Sequence, residues 1–196
     1  MLYIAYHTAG TAYSEMVFNY IMPSLIKFKL PFYIAPIQDR GNWLLNTSYK
    51  PKFILDMLNE HKKDVVYLDV DSRVIAFPYL FYSIPPEYDM AAHWLDWELQ
   101  WRGKPGDRLE LLTGTLMFRY SPKVIDLLKT WDTECENNPE QWEQKTLQEV
   151  LDGDSSICSY RLPPEYCTVV LHDESIPPHI KDPVIVHYQA SRKHRR

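Results

Sequence analysis

Apolar residues along the chain alternate between strand-like runs and helical spacing, and the alternation predicts an architecture. The run "LYIAYH" at residues 2–7 predicts a strand that opens into a loop of small residues, Thr8, Gly10 and Thr11, where a ligand can approach the backbone. Between Tyr13 and Lys29, Met16, Val17, Tyr20, Ile21, Leu25 and Ile26 recur at helical spacing, with Ser14 as the expected cap and Pro23 as the expected kink. "FYIAPI" predicts a second strand, and "KPKFILDMLNEH" a helix with Pro51 in its first turn and Phe53, Ile54, Met57 and Leu58 on one face. "DVVYLD" then predicts a third strand, so the order strand, helix, strand, helix, strand points to an α/β sheet with parallel central strands.

The second half is less regular. Residues 82–108 are rich in Pro, Trp and charge and read mostly as loop, apart from a strand at "YDMAAHW". "LELLTGTLMFRY" predicts a strand whose Gly114 allows close backbone approach. "SPKVIDLLKTWDTECEN" predicts a helix capped by Ser121 with Pro122 at its first position, and "PEQWEQKTLQEVL" predicts another. The short β-like runs "CSYRL", "CTVVLH" and "PVIVHY" follow, separated by Pro-rich turns. With no repeat or linker in sight, residues 1–196 are expected to form one domain.

Composition narrows the function classes. At 45% hydrophobic and 24% charged the 196 residues suit a globular domain able to bury a real core. The opening has no basic n-region and no stretch approaches the length that spans a bilayer, so the expectation is a cytoplasmic protein without a transmembrane segment. Cys135, Cys158 and Cys167 form no C-x-x-C pair and are expected to be reduced and structural. The spacing of His172, His179, His187 and His194 suits no compact zinc motif. A net charge of −5 argues against a broad nucleic-acid surface, although Arg192, Lys193, His194, Arg195 and Arg196 form a cationic end that would attract phosphates.

The sharpest chemical signal is "YLDVDSRV". In an open α/β sheet ligands bind beyond the carboxyl ends of the strands, where Asp69 and Asp71 would sit. Residues two apart project to one side of an extended chain, so both carboxylates can converge on one hard cation, which in turn holds a diphosphate. An acidic turn after a core strand is the plain alternative, since D-x-D is common by chance. A calcium loop is disfavoured by Arg73 and Val74. A phosphatase of the haloacid-dehalogenase class, with Asp69 as nucleophile, places the same motif after a strand. That motif usually opens its domain and wants Thr or Val where Arg73 stands.

Taken together, four stretches resemble the GT-A nucleotide-sugar glycosyltransferases, including the glycogenin-like enzymes. They are "YHTAGTAY", the Lys-Pro helix leading into the D-x-D strand, "LLTGTLMFRYSPKVIDLL" followed by "WEQKTLQEVL", and "IVHYQASRK", which matches H-x-x-G-x-x-K with Ala190 in place of glycine. The resemblance implies a single Rossmann-like GT-A domain with a mostly parallel sheet flanked by helices. Residues 1–75 would be its nucleotide-binding half and 76–196 its acceptor and metal-completing half. It implies Mn²⁺ or Mg²⁺ on Asp69, Asp71 and His187, and a nucleotide-diphosphate sugar, a UDP-hexose, held by Tyr6, Thr8, Gly10, Lys50, Gly114, Gln144 and Lys193, with Arg192 adding charge. Glu143 or Asp96 would act near the sugar, as the base on an acceptor hydroxyl or as a carboxylate against the donor. Trp94 and Asp96 in "HWLDWELQW" would contact the acceptor, which is unknown: a glycan, a protein or a modified nucleic acid. A nucleotide-sugar-binding module without turnover is the remaining alternative.

Overall fold

The computed structural model describes residues 1–96, 109–190 and 192. The main sheet has six strands in the order β2-β1-β3-β6-β5-β7. They are β1 (Leu2–Thr8), β2 (Phe32–Ile37), β3 (Val65–Leu68), β5 (Met90–Asp96), β6 (Leu109–Phe118) and β7 (Ser159–Arg161). β1 pairs in parallel with β2 and β3, and β5 with β7; β6 runs antiparallel to both β3 and β5. The sheet is thus mixed but mostly parallel, as the strand–helix alternation predicts.

Alternation along the strands sorts the core into two layers. Ile4, Tyr6, Val65 and Tyr67 face a cluster built by α4 (Lys50–His61), α5 (Pro122–Asn137) and α6 (Glu143–Gly153). Tyr3, Ala5, Val66 and Leu68 face the opposite way, onto Val17, Ile21, Leu25 and Ile185. Burying each such side chain contributes roughly 1.5–3 kcal/mol, and both layers are fully closed over the central strands.

The first helix departs from expectation in two ways. Its cap is Thr11, whose side chain accepts from the Tyr13 amide, and not Ser14, whose hydroxyl lies 3.1 Å from His7 Nδ1. Its path runs from α1 (Ala12–Met16) through a π-helical turn, Val17–Ile21, into α2 (Met22–Lys27). Pro23 sits in the first turn of α2. The widened turn ahead of it accommodates a residue that donates no backbone hydrogen bond. Farther on, the expected cap holds: Ser121 Oγ accepts from the Val124 amide and Pro122 opens α5. A short helix, α3 (Trp43–Thr47), has Asn42 as its cap and was not expected.

Three short strands form a second sheet, β4-β9-β8, from β4 (Ser72–Val74), β8 (Thr168–Val169) and β9 (Ile185–His187). "CTVVLH" and "PVIVHY" therefore leave the main sheet. Their position matters because β4 begins one residue after Asp71 and pairs antiparallel with β9, setting Ser72 opposite His187. Among the described residues, no helix is long and apolar enough to cross a membrane.

Candidate active site

A cleft of about 1020 Å³ opens at the carboxyl ends of β1 and β3. Asp69 and Asp71 lie on its floor, but strand alternation does not bring them together. The chain turns between them: the Ser72 amide donates to the Asp69 carbonyl at 3.0 Å, closing a tight turn from β3 into β4. β9 then brings in His187, and one ligand atom from each of the three side chains lies within 4.8 Å of the other two.

Each of the three uses one polar atom elsewhere. Asp69 Oδ1 accepts from the Tyr67 hydroxyl at 2.9 Å and lies 3.2 Å from Lys50 Nζ. Asp71 Oδ2 accepts from the Ala190 amide at 2.8 Å, while its Oδ1 lies 3.9 Å from His187 Nδ1. His187 Nε2 lies 2.8 Å from Thr115 Oγ1. A carboxylate or imidazole whose far atom is already anchored presents its near atom in a fixed direction, which is how supporting groups orient metal ligands.

The same contacts accommodate Ala190 where the H-x-x-G-x-x-K pattern has glycine. Gln189, not Ala190, takes the left-handed conformation (φ 53°), so the extra methyl meets no backbone penalty. Ala190 is buried and contributes its amide, while the Tyr188 amide donates to the Asp71 carbonyl at 3.0 Å. The segment after β9 therefore clamps Asp71 at both its carboxylate and its main chain.

A buried charge cluster supports the floor. Lys50, 2% exposed at the start of α4, donates to Glu143 Oε1 at 2.8 Å and to Thr113 Oγ1 at 3.1 Å, besides its contact with Asp69. Burial opposes its charge, but Asp69 and Glu143 outweigh that and hold the ammonium above the ordinary lysine value. Glu143, buried at the start of α6, also accepts from Thr113 Oγ1 at 2.9 Å. Although 38% of the Asp69 side chain faces the cleft, burial pushes its carboxyl upward; Lys50 opposes this and Asp71 adds to it. For His187 burial works against the charge, but the Cys167 sulfur and the Asp71 carboxylate prevail and the imidazole is pushed up to about 10. Burial raises the Tyr6 and Tyr67 hydroxyls far above their usual values, so both stay protonated donors.

The remaining expected residues are dispersed around this floor. Tyr6 lines the cleft with its hydroxyl donating to the Asn46 carbonyl at 2.9 Å. Thr8 is a buried lining residue whose carbonyl accepts from Thr11 Oγ1 at 2.7 Å. Gly10, at φ 71°, adopts a conformation that suits glycine, just beyond β1. Gln144 lines the cleft and bridges β6, accepting from the Thr113 amide at 3.2 Å and donating to Glu110 at 2.7 Å. Asp96 ends β5 and is not among the described residues that line the cleft. Trp94 packs against the core beneath the Arg161 guanidinium, 5.7 Å from its ring centroid. Arg192 lines the cleft and donates to the Val170 carbonyl at 3.0 Å. Lys193, Trp97 and Trp101 lie outside the described residues.

Gly114 is needed by its neighbours. Its carbonyl accepts from the Asp69 amide at 2.9 Å, and a Cβ there would lie 2.9 Å from His187 Cε1 and 3.0 Å from Nδ1. The imidazole, buried and held by Thr115, has little room to yield. Gly114→Ala is expected to cost about 1–3 kcal/mol by overpacking, read as a lower urea midpoint at unchanged slope. A variant as stable as the parent would mean that His187 swings away freely. The sequence pattern passed over Tyr67, Thr113, Thr115, Trp43 and Trp142. All but Trp43 stood beside a local signal: Tyr67 two residues before Asp69, Thr113 and Thr115 on either side of Gly114, and Trp142 directly before Glu143-Gln144.

This arrangement, with paired aspartates in the turn after the third strand and a histidine returned from a late strand, is set in a fold that solved glycosyltransferases share. No family model and no curated protein matches the chain by sequence. Solved structures do match. A glycosyltransferase involved in glycosylation of the major capsid of PBCV-1 superposes with a TM-score of 0.70 at 16% identity, over 96% of this chain and 92% of that one. The galactosyltransferase LgtC, solved with donor and acceptor sugar analogs, gives 0.58 at 11% identity over 96% and 87%. GlyE of Streptococcus pneumoniae TIGR4 gives 0.62 at 17% identity over 95% of this chain and 54% of that one.

Proposed function

We propose that the protein transfers a sugar from a nucleotide-diphosphate sugar, a UDP-hexose, to an acceptor hydroxyl, with Mn²⁺ or Mg²⁺ held by Asp69, Asp71 and His187. The observation that carries this reading is the convergence of those three side chains, each anchored at its far atom, on the cleft floor. Two carboxylates and an imidazole fit Mn²⁺ by ligand type. Bound there, the ion would supply positive charge for the departing diphosphate.

The chain's own residues divide the rest of the work. Tyr6 and Thr8 of β1, with Gly10 just beyond it, would form the nucleoside end. Lys193 and Arg192 add cationic charge toward the diphosphate, a stabilisation that grows as the leaving group gains charge. Glu143 is already bonded to Lys50 and Thr113, so it acts by fixing Lys50 and, through it, Asp69. Gln144, whose amide is oriented by Glu110 and Thr113, lines the cleft and would meet the donor. The fold of the solved neighbours favours transfer over the phosphatase reading, which needs Asp69 free as a nucleophile.

The test is nucleotide release from a panel of UDP-, GDP- and CMP-sugars, with Mn²⁺ or with a chelator. UDP released from one UDP-hexose only with Mn²⁺ is the expected result. Phosphate release from aryl phosphates, with every sugar nucleotide intact, would replace transferase by phosphatase. Metal binding should also depend on pH. His187 holds its proton up to about 10 without metal, and a ligand imidazole must lose it. Raising pH removes that competing proton, so apparent Mn²⁺ affinity should rise about tenfold per pH unit between pH 6 and 8. Titration calorimetry in buffers of different ionisation enthalpy should show about one proton released per ion; none released would remove His187 from the ligand set.

A further inference from the structure

The cleft has two unlike walls. One carries Tyr13 of α1 together with Gln189 and Arg192, on the side of the sheet where α1 and α2 pack. The other is aromatic: Trp43, which opens α3, and Trp142, which precedes α6, both line the cleft. Their rings meet edge to face, with centroids 5.9 Å apart at 82°.

Trp142 is held in place yet open. Its carbonyl accepts from the Thr146 amide at 3.1 Å, and the buried Trp131 indole pins the next carbonyl, that of Glu143, at 2.8 Å. The Trp142 side chain nevertheless remains 43% exposed. The same cleft lining includes Asp39, Asn42, Glu110 and Gln144, whose groups suit hydroxyls. The platform adjoins the reaction centre, because the residue after Trp142 is Glu143, which reaches Asp69 through Lys50.

We infer that Trp142, braced by Trp43, is the acceptor platform of this cleft and that the acceptor is a saccharide whose pyranose ring stacks on it. The inference rests on the transferase reading. A pyranose offers a face of C–H bonds of slight positive charge to the negative face of an aromatic ring, with hydroxyls projecting at its rim. The cleft answers both, with indole faces and with amide and carboxylate groups in the same lining. Asp39 and Glu110 on the same cleft lining repel a phosphodiester backbone, which disfavours a nucleic-acid acceptor.

The test uses saturation-transfer NMR with methyl glucoside, methyl galactoside, methyl xyloside and lactose in the presence of UDP and Mn²⁺. The proteins are the parent, Trp142→Ala and Trp142→Tyr, and UDP affinity with Mn²⁺ is measured by calorimetry on each. At least one saccharide should bind the parent, lose about tenfold in affinity in Trp142→Ala and recover in Trp142→Tyr, with UDP affinity unchanged. Binding that is indifferent to Trp142, or no saccharide bound by a parent that binds UDP, overturns the platform. A fall in UDP affinity with saccharide binding retained assigns the ring to the donor base and equally overturns it. Trp142-dependent saccharide binding by a parent that ignores UDP and Mn²⁺ would uphold the platform and sink the donor reading instead.

Discussion

Asp71→Asn should abolish Mn²⁺-dependent binding of UDP while leaving the protein folded. Asp71 offers Oδ1 toward His187, and its Oδ2 accepts from the Ala190 amide. An asparagine can keep the second contact through its single oxygen but then turns a poorly ligating amide nitrogen toward the site. The main-chain bond from the Tyr188 amide is untouched. Loss of one charged ligand in three is expected to weaken Mn²⁺ by about 100-fold or more, beyond the 10–100-fold typical of supporting groups. Thermal denaturation with UDP and Mn²⁺ reads this directly. At a hundred times the dissociation constant a ligand that binds only the folded state stabilises it by about 2.7 kcal/mol, and that increment should disappear in the variant. A variant that keeps the metal-dependent increment would place the ion elsewhere.

Lys50→Met should have the largest effect on stability. The ammonium is the partner of Glu143 and Asp69 at the base of the cleft, and its removal leaves two carboxylates facing each other with one cation fewer. Breaking a buried ion pair from one side costs about 3–5 kcal/mol. For a domain of this size each kcal/mol lowers the melting temperature by about 2–4 °C, so a fall of roughly 10 °C is expected. Glu143→Gln keeps an oxygen for Thr113 and should be milder. Adding it to Lys50→Met should restore part of the loss, because a neutral amide no longer repels Asp69. A double variant less stable than Lys50→Met would show that Glu143 is held mainly by Thr113 and the start of α6.

The parts of this molecule legible in the sequence are those fixed by local pattern. The Ser121-Pro122 start of α5 and the Lys50-Pro51 start of α4 were readable because cap and proline chemistry act within one turn. The paired aspartates were readable as a site, but for the wrong geometric reason: the turn from Asp69 to Ser72, closed by one amide, does what extended alternation was expected to do. Ser14 looked like a cap because Ser and Thr are interchangeable on paper, and only the position of the Tyr13 amide selects Thr11. The role of Glu143 was hidden because it depends on a pair distant in sequence, and Gly114 was legible as a place of close approach but not as the one His187 occupies. A carboxylate looks available until Lys50, 93 residues away, is seen to hold it. Trp94, likewise, stands in an aromatic, acidic stretch that suggests sugar binding, yet it is half-buried and packs against the core beneath Arg161.

The clamp on Asp71 has one more consequence. Its two partners lie far along the chain, with Ala190 separated from Asp71 by 119 residues. Closing a flexible loop of that length costs about 4 kcal/mol of chain entropy, so the carboxylate-bearing turn can be built beside β1 well before it acquires its histidine. By this term the histidine is expected to join the site late in folding, when β9 docks. Anything that bridges Asp71 and His187 acts as a latch across this seam, which couples the occupancy of the reaction centre to how long the second sheet stays shut.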